Sequence, residues 1–313
     1  MQPSDTGDQM NGYEIIPTRI FSEMPKEFLK YEETKFSRDM TIDGRPVPSF
    51  LEGPSFDRDG NLYVVDVAHG RIFRIATDGE WTLVADYPGR PNGLKVHQDG
   101  RIFVADRDLG LVEIDPVNGK VSPYVPAERL SNYKGLNDLF FSSNGDLYFT
   151  DQGETGLHDP TGQLWKLDTK GNLTCLLNNI PSPNGLVMNP EETLLYLAVT
   201  RMNAVWRVPI RPDGSVHRVG MFCQLEGGTG PDGMAMDVDG NLSIAHIWRG
   251  AVWLYSPLGL PLVRLDGCGD TLAVTNLAYG GVDNRSLFIT NSMANNILVA
   301  ELPVSGRLMY GQM

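Results

Sequence analysis

One arrangement recurs six times in this chain of 313 residues and limits what it can fold into. A polar residue in a short setting, most often rich in Gly or Pro, stands ten or eleven residues before an apolar strand of Leu-Tyr type. The polar residues are Glu52, Asn92, Asn137, Asn184, Asp232 and Asn276. The strands after them begin at Leu62, Ile102, Leu147, Leu195, Leu242 and Leu287, and so lie 40, 45, 48, 47 and 45 residues apart. Tight-turn signals such as Asp59-Gly60-Asn61 introduce the strands, because Gly there supplies the positive φ a hairpin needs. Further short strands follow in each unit, as in Gly70–Ile75 and Trp81–Val84. Four strands in a unit of about 40–50 residues are the signature of a β-propeller. The expected fold is therefore all-β, a six-bladed β-propeller with four-stranded blades. A seven-bladed WD or kelch array is disfavoured, since no Trp-Asp or Gly-His pair marks the repeats.

The ends of the chain bear on closure. Beyond Leu302 only Arg307–Tyr310 could build an outer strand for the last unit. The N-terminal segment near Ile15–Phe21 is therefore expected to supply that strand and close the ring. Residues 1–12 are polar and read as a loose tail, leaving 13–313 as one propeller domain. Residues 22–45 show no firm periodicity beyond a helical turn within Lys26–Phe36. The third unit carries extra residues between Asp151 and Leu164, and a longer loop on one repeat marks a candidate binding face.

Composition narrows the function. Lys and Arg number 26 against 39 Asp and Glu, a formal charge of −13, so binding to nucleic acid or an anionic membrane is not expected. No apolar run is long enough to span a bilayer, and Met1–Asp5 lacks the basic and apolar regions of a signal peptide. Cys175, Cys223 and Cys268 are odd in number and widely spaced, which fits a reducing compartment and a cytoplasmic protein.

In a propeller the first strand of each blade lies nearest the axis, so the six polar residues form an inner ring at one channel mouth. Asp66, Asp106, Asp151, Thr200, His246 and Asn291 stand behind them. Buried Glu and Asp must be paired or must coordinate a cation. Carboxylate and amide oxygens suit Ca²⁺, Mg²⁺ or Mn²⁺ better than Zn²⁺. Glu52 carries the most weight, because Asn-Gly and Asp-Gly also serve as ordinary turn pairs whereas turn chemistry does not call for Glu. Asp66, Asp106 and Asp151 read as caps for loop N–H groups, and Asp57–Asn61 and Asp237–Asn241 as hairpin turns. His97, His217 and His69 sit near turns or strand ends. His246 ends a strand at the mouth and His158 lies in the long third-unit loop, so both are candidate substrate contacts.

Glu52-Gly53-Pro54, Asn137-Asp138, Pro183-Asn184-Gly185-Leu186 and Gly230-Pro231-Asp232-Gly233-Met234 resemble, in order, the motifs of the SMP-30/gluconolactonase family, also called luciferin-regenerating-enzyme-like. The similarity runs from about residue 45 to 300, and Asn137–Leu164 looks most like the bacterial lactonase branch related to drug-responsive protein 35. The resemblance implies six blades and one catalytic divalent ion in the channel. It implies metal ligation by Glu52, Asn184 and Asp232, with Asn137 as a further ligand or substrate contact, and acid/base duty for Asp232. Sugar-lactone members carry Arg two residues before the Asn matching Asn137. Here Gly135 stands there, with Lys134 one residue earlier.

The expected activity is hydrolysis of a small-molecule lactone, with a divalent cation polarising the carbonyl and activating water. Ca²⁺ leads, with Mg²⁺, Mn²⁺, Fe²⁺ and Zn²⁺ as alternatives. Asn92, Asn276, His246, His158 and Lys134 are the expected substrate contacts. An arylesterase or phosphotriesterase on the same scaffold and a non-catalytic metabolite-binding propeller are the alternatives.

Overall fold

The structure, a computed structural model, describes residues 12–41, 43–267 and 272–313. It is the expected six-bladed propeller, each blade an antiparallel meander whose first strand lies innermost. The first strands of blades 1 to 6 are Leu51–Phe56, Pro91–Val96, Leu136–Phe141, Pro183–Met188, Gly230–Met236 and Val274–Gly280. Each packs on the next, and blade 6 packs back onto blade 1, so no blade edge is left inside the ring. These strands and the second strands behind them are almost wholly buried, and apolar side chains predominate in them.

Closure follows the expectation and adds to it. Arg19–Glu23 pairs antiparallel with Asn296–Val299 as the outer strand of blade 6. Glu14–Pro17 pairs parallel with Val263–Asp266, giving blade 5 a fifth strand. Of the tail expected over residues 1–12, all but Gly12 lies outside the described residues.

Residues 22–45 lead from this closure to the channel mouth. Phe28, in the 3₁₀ turn Lys26–Phe28, accepts a hydrogen bond at its carbonyl from Arg71 Nη1 at 2.8 Å. Arg71 also clamps Asp66 through Nε at 3.0 Å, and both side chains are buried. Helix α1, Lys35–Met40, starts at Thr34 with a reciprocal cap: Ser37 N–H donates to Thr34 Oγ1 and Thr34 N–H to Ser37 Oγ. Phe36 packs on Phe50 and brings the helix over the mouth.

At the opposite face the hairpin turns are capped locally. Asp57 Oδ1 accepts the N–H groups of Asp59 and Asn61, and Asp237 Oδ1 those of Asp239 and Asn241. These stretches are therefore Asx turns, in keeping with their reading as hairpin turns. The C-terminal turn Tyr310–Gln312 covers this face, with Tyr310 stacked on Phe141 and edge-on to His97. His97 is thus half-buried in an aromatic cluster.

Removing residues 1–25 deletes strands from two blades and bares both edges. The truncated protein is expected to lose cooperative unfolding or to melt many degrees lower by circular dichroism; an unchanged melting temperature would contradict this closure.

Candidate active site

The ring residues are placed by a defect that all six blades share. Each first strand runs out of register with the second by one extra residue near its start. In blade 1 Glu52 pairs with Val65 and Ser55 with Tyr63; in blade 5 Pro231 pairs with His246 and Met234 with Ile244. The same slip falls at Pro91/Leu94, Leu136/Leu139, Pro183/Leu186 and Val274/Leu277. A β-bulge leaves residues without cross-strand partners and re-aims them. The unpaired positions are Asn92-Gly93, Asn137-Asp138, Asn184-Gly185, Asp232-Gly233 and Thr275-Asn276; in blade 1 the slip comes one residue later, at Gly53-Pro54, and Glu52-Gly53 is the pair that matches the others.

The first of each pair faces the mouth. Glu52, Asn92, Asn137, Asn184 and Asp232 line one cavity of about 800 Å³. Blade 6 departs from expectation by one residue, since Thr275, not Asn276, holds this position. Its hydroxyl bonds to Leu51 O, Thr290 and Ser292 and locks blade 6 to blade 1.

The second of each pair sits between neighbouring first strands, where space is short. A Cβ on Gly53, at φ 57°, would meet Asn92 O and Leu94 N at 2.6 Å. One on Gly233 would meet Asn276 Cγ at 2.1 Å, and one on Gly93 would meet Asp138 Oδ1 at 2.4 Å. The room those glycines leave is taken by Asp138 and Asn276, which form a layer beneath the ring. Asn276 Nδ2 donates to Glu52 Oε2 at 3.1 Å and to Asp138 Oδ2 at 3.3 Å. Lys95 Nζ lies 3.7 Å from Asp138 Oδ1. Lys95 has no sequence signal, and Asp138 only its place in the Asn137-Asp138 motif with no role implied, because strand alternation alone would turn both off the axis.

Three buried carboxylates thus share the axis with one ammonium group. Burial and the Asp138 charge push Glu52 up to about 7, although Gly53 N–H and Asn276 pull it back. Asp232 is raised well above the usual carboxylate range by burial, then by Glu52 and Asp138, against the pull of Asn184 and Arg201. Such a cluster is one cation short. The donor chemistry fits a hard divalent ion: two carboxylates plus amide oxygens. Asn137 Nδ2 donates to Gln152 Oε1 at 2.8 Å, which leaves its Oδ1 for another partner. Among the described residues no three His, Cys, Asp or Glu side chains cluster as a metal site. The ring therefore depends on its amides, and its chemistry does not resemble a His/Cys zinc site.

The remaining candidates divide. His158 lines the cavity, in the long third-blade loop that builds one wall with Gln152–Leu157. His246 does not: it is wholly buried, its Nε2 lies 2.9 Å from Gly227 O, and burial lowers its pKa. Lys134 does not line the cavity either; its Nζ is 3.7 Å from Asp159 and its N–H caps Asp151. Asp66, Asp106 and Asp151 are the loop caps expected of them. Further wall residues had no sequence signal: Phe36 and Asp39 of α1, Arg90, Arg107, Arg201 and Trp248. Arg107 comes from blade 2, and its Cγ would lie 2.9 Å from a Cβ on Gly135.

A carboxyl held above its ordinary value takes up a proton on folding, so its ionisation costs stability as pH rises from 4.5 through about 7. In the presence of a chelator, Glu52→Gln is expected to melt progressively higher relative to wild type across that window, and a saturating divalent cation to reverse the order. A wild-type advantage that grows with pH under chelation would contradict the raised pKa.

A profile of the SMP-30/Gluconolactonase/LRE-like region matches residues 50–293. Among curated proteins, lactonase drp35 of Staphylococcus epidermidis (strain ATCC 12228 / FDA PCI 1200) is 28% identical over 261 residues, covering 79% of each chain. Among solved structures, the calcium-binding protein regucalcin of Agrobacterium tumefaciens str. C58 superposes with TM-score 0.76 at 23% identity, covering 95% of this chain and 98% of that one. A gluconolactonase of Xanthomonas campestris gives TM-score 0.70 at 20% identity, with 92% and 95% covered.

Proposed function

The chain belongs to the SMP-30/gluconolactonase/LRE-like family, and from that premise we propose that it is a divalent-metal-dependent lactone hydrolase working in the central channel. The observation that carries this reading is the pair of buried carboxylates, Glu52 and Asp232, set with amides around one cavity, neither of them in an ion pair with a Lys or Arg side chain among the described residues. The lactonases and the calcium-binding regucalcin among its relatives support the same reading.

Glu52, Asn137, Asn184 and Asp232 would hold the ion, with Ca²⁺ the leading candidate. When bound, such an ion supplies Lewis-acid polarisation of an ester carbonyl and lowers the pKa of nearby water. Glu52, tied to Asn276 and to Gly53 N–H, is fixed as an anionic donor. Asp232 is the acid/base. Its carboxylate, the form a bound divalent cation would favour, takes a proton from the attacking water as the C–O bond to the acyl carbon forms. It returns that proton to the ring oxygen as the ring C–O bond breaks, giving the hydroxy acid. This double duty requires one Asp232 oxygen to remain free for the proton.

Asn92 and His158 face the same cavity and are placed to meet substrate. Cys175 and Cys223 are both free thiols, and no described helix is long and apolar enough to cross a membrane. Both features accord with a cytoplasmic enzyme.

Asp232→Asn removes the proton carrier and one of the mutually repelling charges. Turnover of lactones, read as proton release, is expected to fall about 10²–10⁴-fold, with the circular dichroism spectrum kept and the chelated protein melting no lower than wild type. Activity within a few-fold of wild type would remove Asp232 from this role.

A further inference from the structure

The charges around the cavity do not cancel evenly. Arg90 is neutralised by Asp108 at 2.6 Å and Asp39 at 2.8 Å, and Lys35 also pairs with Asp108. Arg107 is paired with Glu154. On the axis Lys95 offsets Asp138, and a divalent ion would offset Glu52 and Asp232. Arg201 remains: it stands exposed at the cavity wall, and among the described residues no ion pair or side-chain hydrogen bond engages it, its charge reaching only Asp232, which the divalent ion would already offset. The backbone carrying it is rigid. The 3₁₀ turn Thr200–Met202 is held by Thr200 N–H on Ser182 O at 3.0 Å and by Thr200 Oγ1 on Pro231 O at 2.8 Å. Asn203 at φ 53° ends the turn. Arg201 shares its neighbourhood with His158: a Cβ on Gly156 would lie 3.1 Å from His158 Nδ1 and 3.6 Å from Arg201 Cγ.

In a chain of net charge −13, a cavity left with one unbalanced guanidinium is complementary to a single negative charge. We infer that the substrate is a lactone bearing a carboxylate, and that Arg201 binds this carboxylate through paired N–H donors while the ester faces the Glu52–Asp232 centre. Arg201 is then a specificity residue whose backbone the turn holds in place before substrate arrives. The inference rests on the lactone-hydrolase reading and narrows its substrate class.

The test uses the metal-loaded full chain and two lactones that differ in one charge, 5-oxotetrahydrofuran-2-carboxylate and its carboxamide. Wild type is expected to prefer the carboxylate in kcat/KM by about 10- to 100-fold, the range of a charge-assisted hydrogen bond. Arg201→Met is expected to bring the ratio close to one, mainly through KM, and Arg201→Lys to keep part of it. A loss common to both substrates cancels in the ratio. Calorimetry with 2-hydroxyglutarate, the ring-opened product, should show binding that weakens by a similar factor in Arg201→Met. No carboxylate preference in wild type, or a preference that survives Arg201→Met, overturns the inference. Hydrolysis of the carboxamide alone does the same while leaving the lactonase reading in place. Arg201-dependent binding of 2-hydroxyglutarate with neither lactone hydrolysed would instead uphold the anion site and sink the lactonase reading.

Discussion

Six β-bulges, one near the start of every first strand, are the constraint on which this molecule depends. A regular strand would alternate its side chains between the two faces of a blade and offer little to the axis. In blades 2 to 6 the extra residue releases two consecutive positions from pairing, one toward the mouth and one into the seam between blades. Repeated around a closed ring, this places five polar side chains at one cavity and packs Asp138 and Asn276 beneath them. Most of the seam positions are glycine because the neighbouring backbone passes too close for a Cβ, as at Gly53. The same geometry that closes the propeller therefore also builds its polar centre.

That centre is electrostatically incomplete by itself. Glu52 and Asp232 are held above their ordinary ionisation range mainly by burial, with mutual repulsion and Asp138 adding to it. Unpaired buried charge is among the most costly features a fold can keep, and scaffolds retain it where function calls for it. The proposed cation resolves the repulsion, and the hydrogen bonds from Asn276 and Gly53 keep Glu52 in one orientation to receive it. Around this core, α1 and the Gln152–His158 loop raise the walls, and guanidinium groups neutralised one by one leave Arg201 over.

Much of this was legible in the residues. The 40–48-residue spacing gave the blade count, and the shortage of chain after Leu302 pointed to N-terminal closure. Glu52, Asn92, Asn137, Asn184 and Asp232 stand out because bulge and turn chemistry leave a polar residue beside Gly or Asp at a constant distance from the next strand. Asn276 was misplaced by one position because counting to a strand start does not reveal where a register slips; a one-residue slip exchanges channel for seam. His246 ends its strand as expected, but the loop around Gly227 folds over it, a tertiary fact with no local trace. The parallel strand Glu14–Pro17 and the walls supplied by Phe36, Arg107 and Arg201 are equally non-local. Their side chains are ordinary in sequence and meaningful only once the ring brings distant loops together.

The central claim is that the ring binds one cation on which lactone hydrolysis depends. It is tested most directly by stripping the protein with a chelator and titrating Ca²⁺, Mg²⁺, Mn²⁺, Fe²⁺ or Zn²⁺ back while following proton release from sugar and aromatic lactones. The account predicts negligible turnover in the stripped protein and recovery that saturates at one equivalent of the favoured ion. Full turnover by protein shown to be free of metal would contradict it.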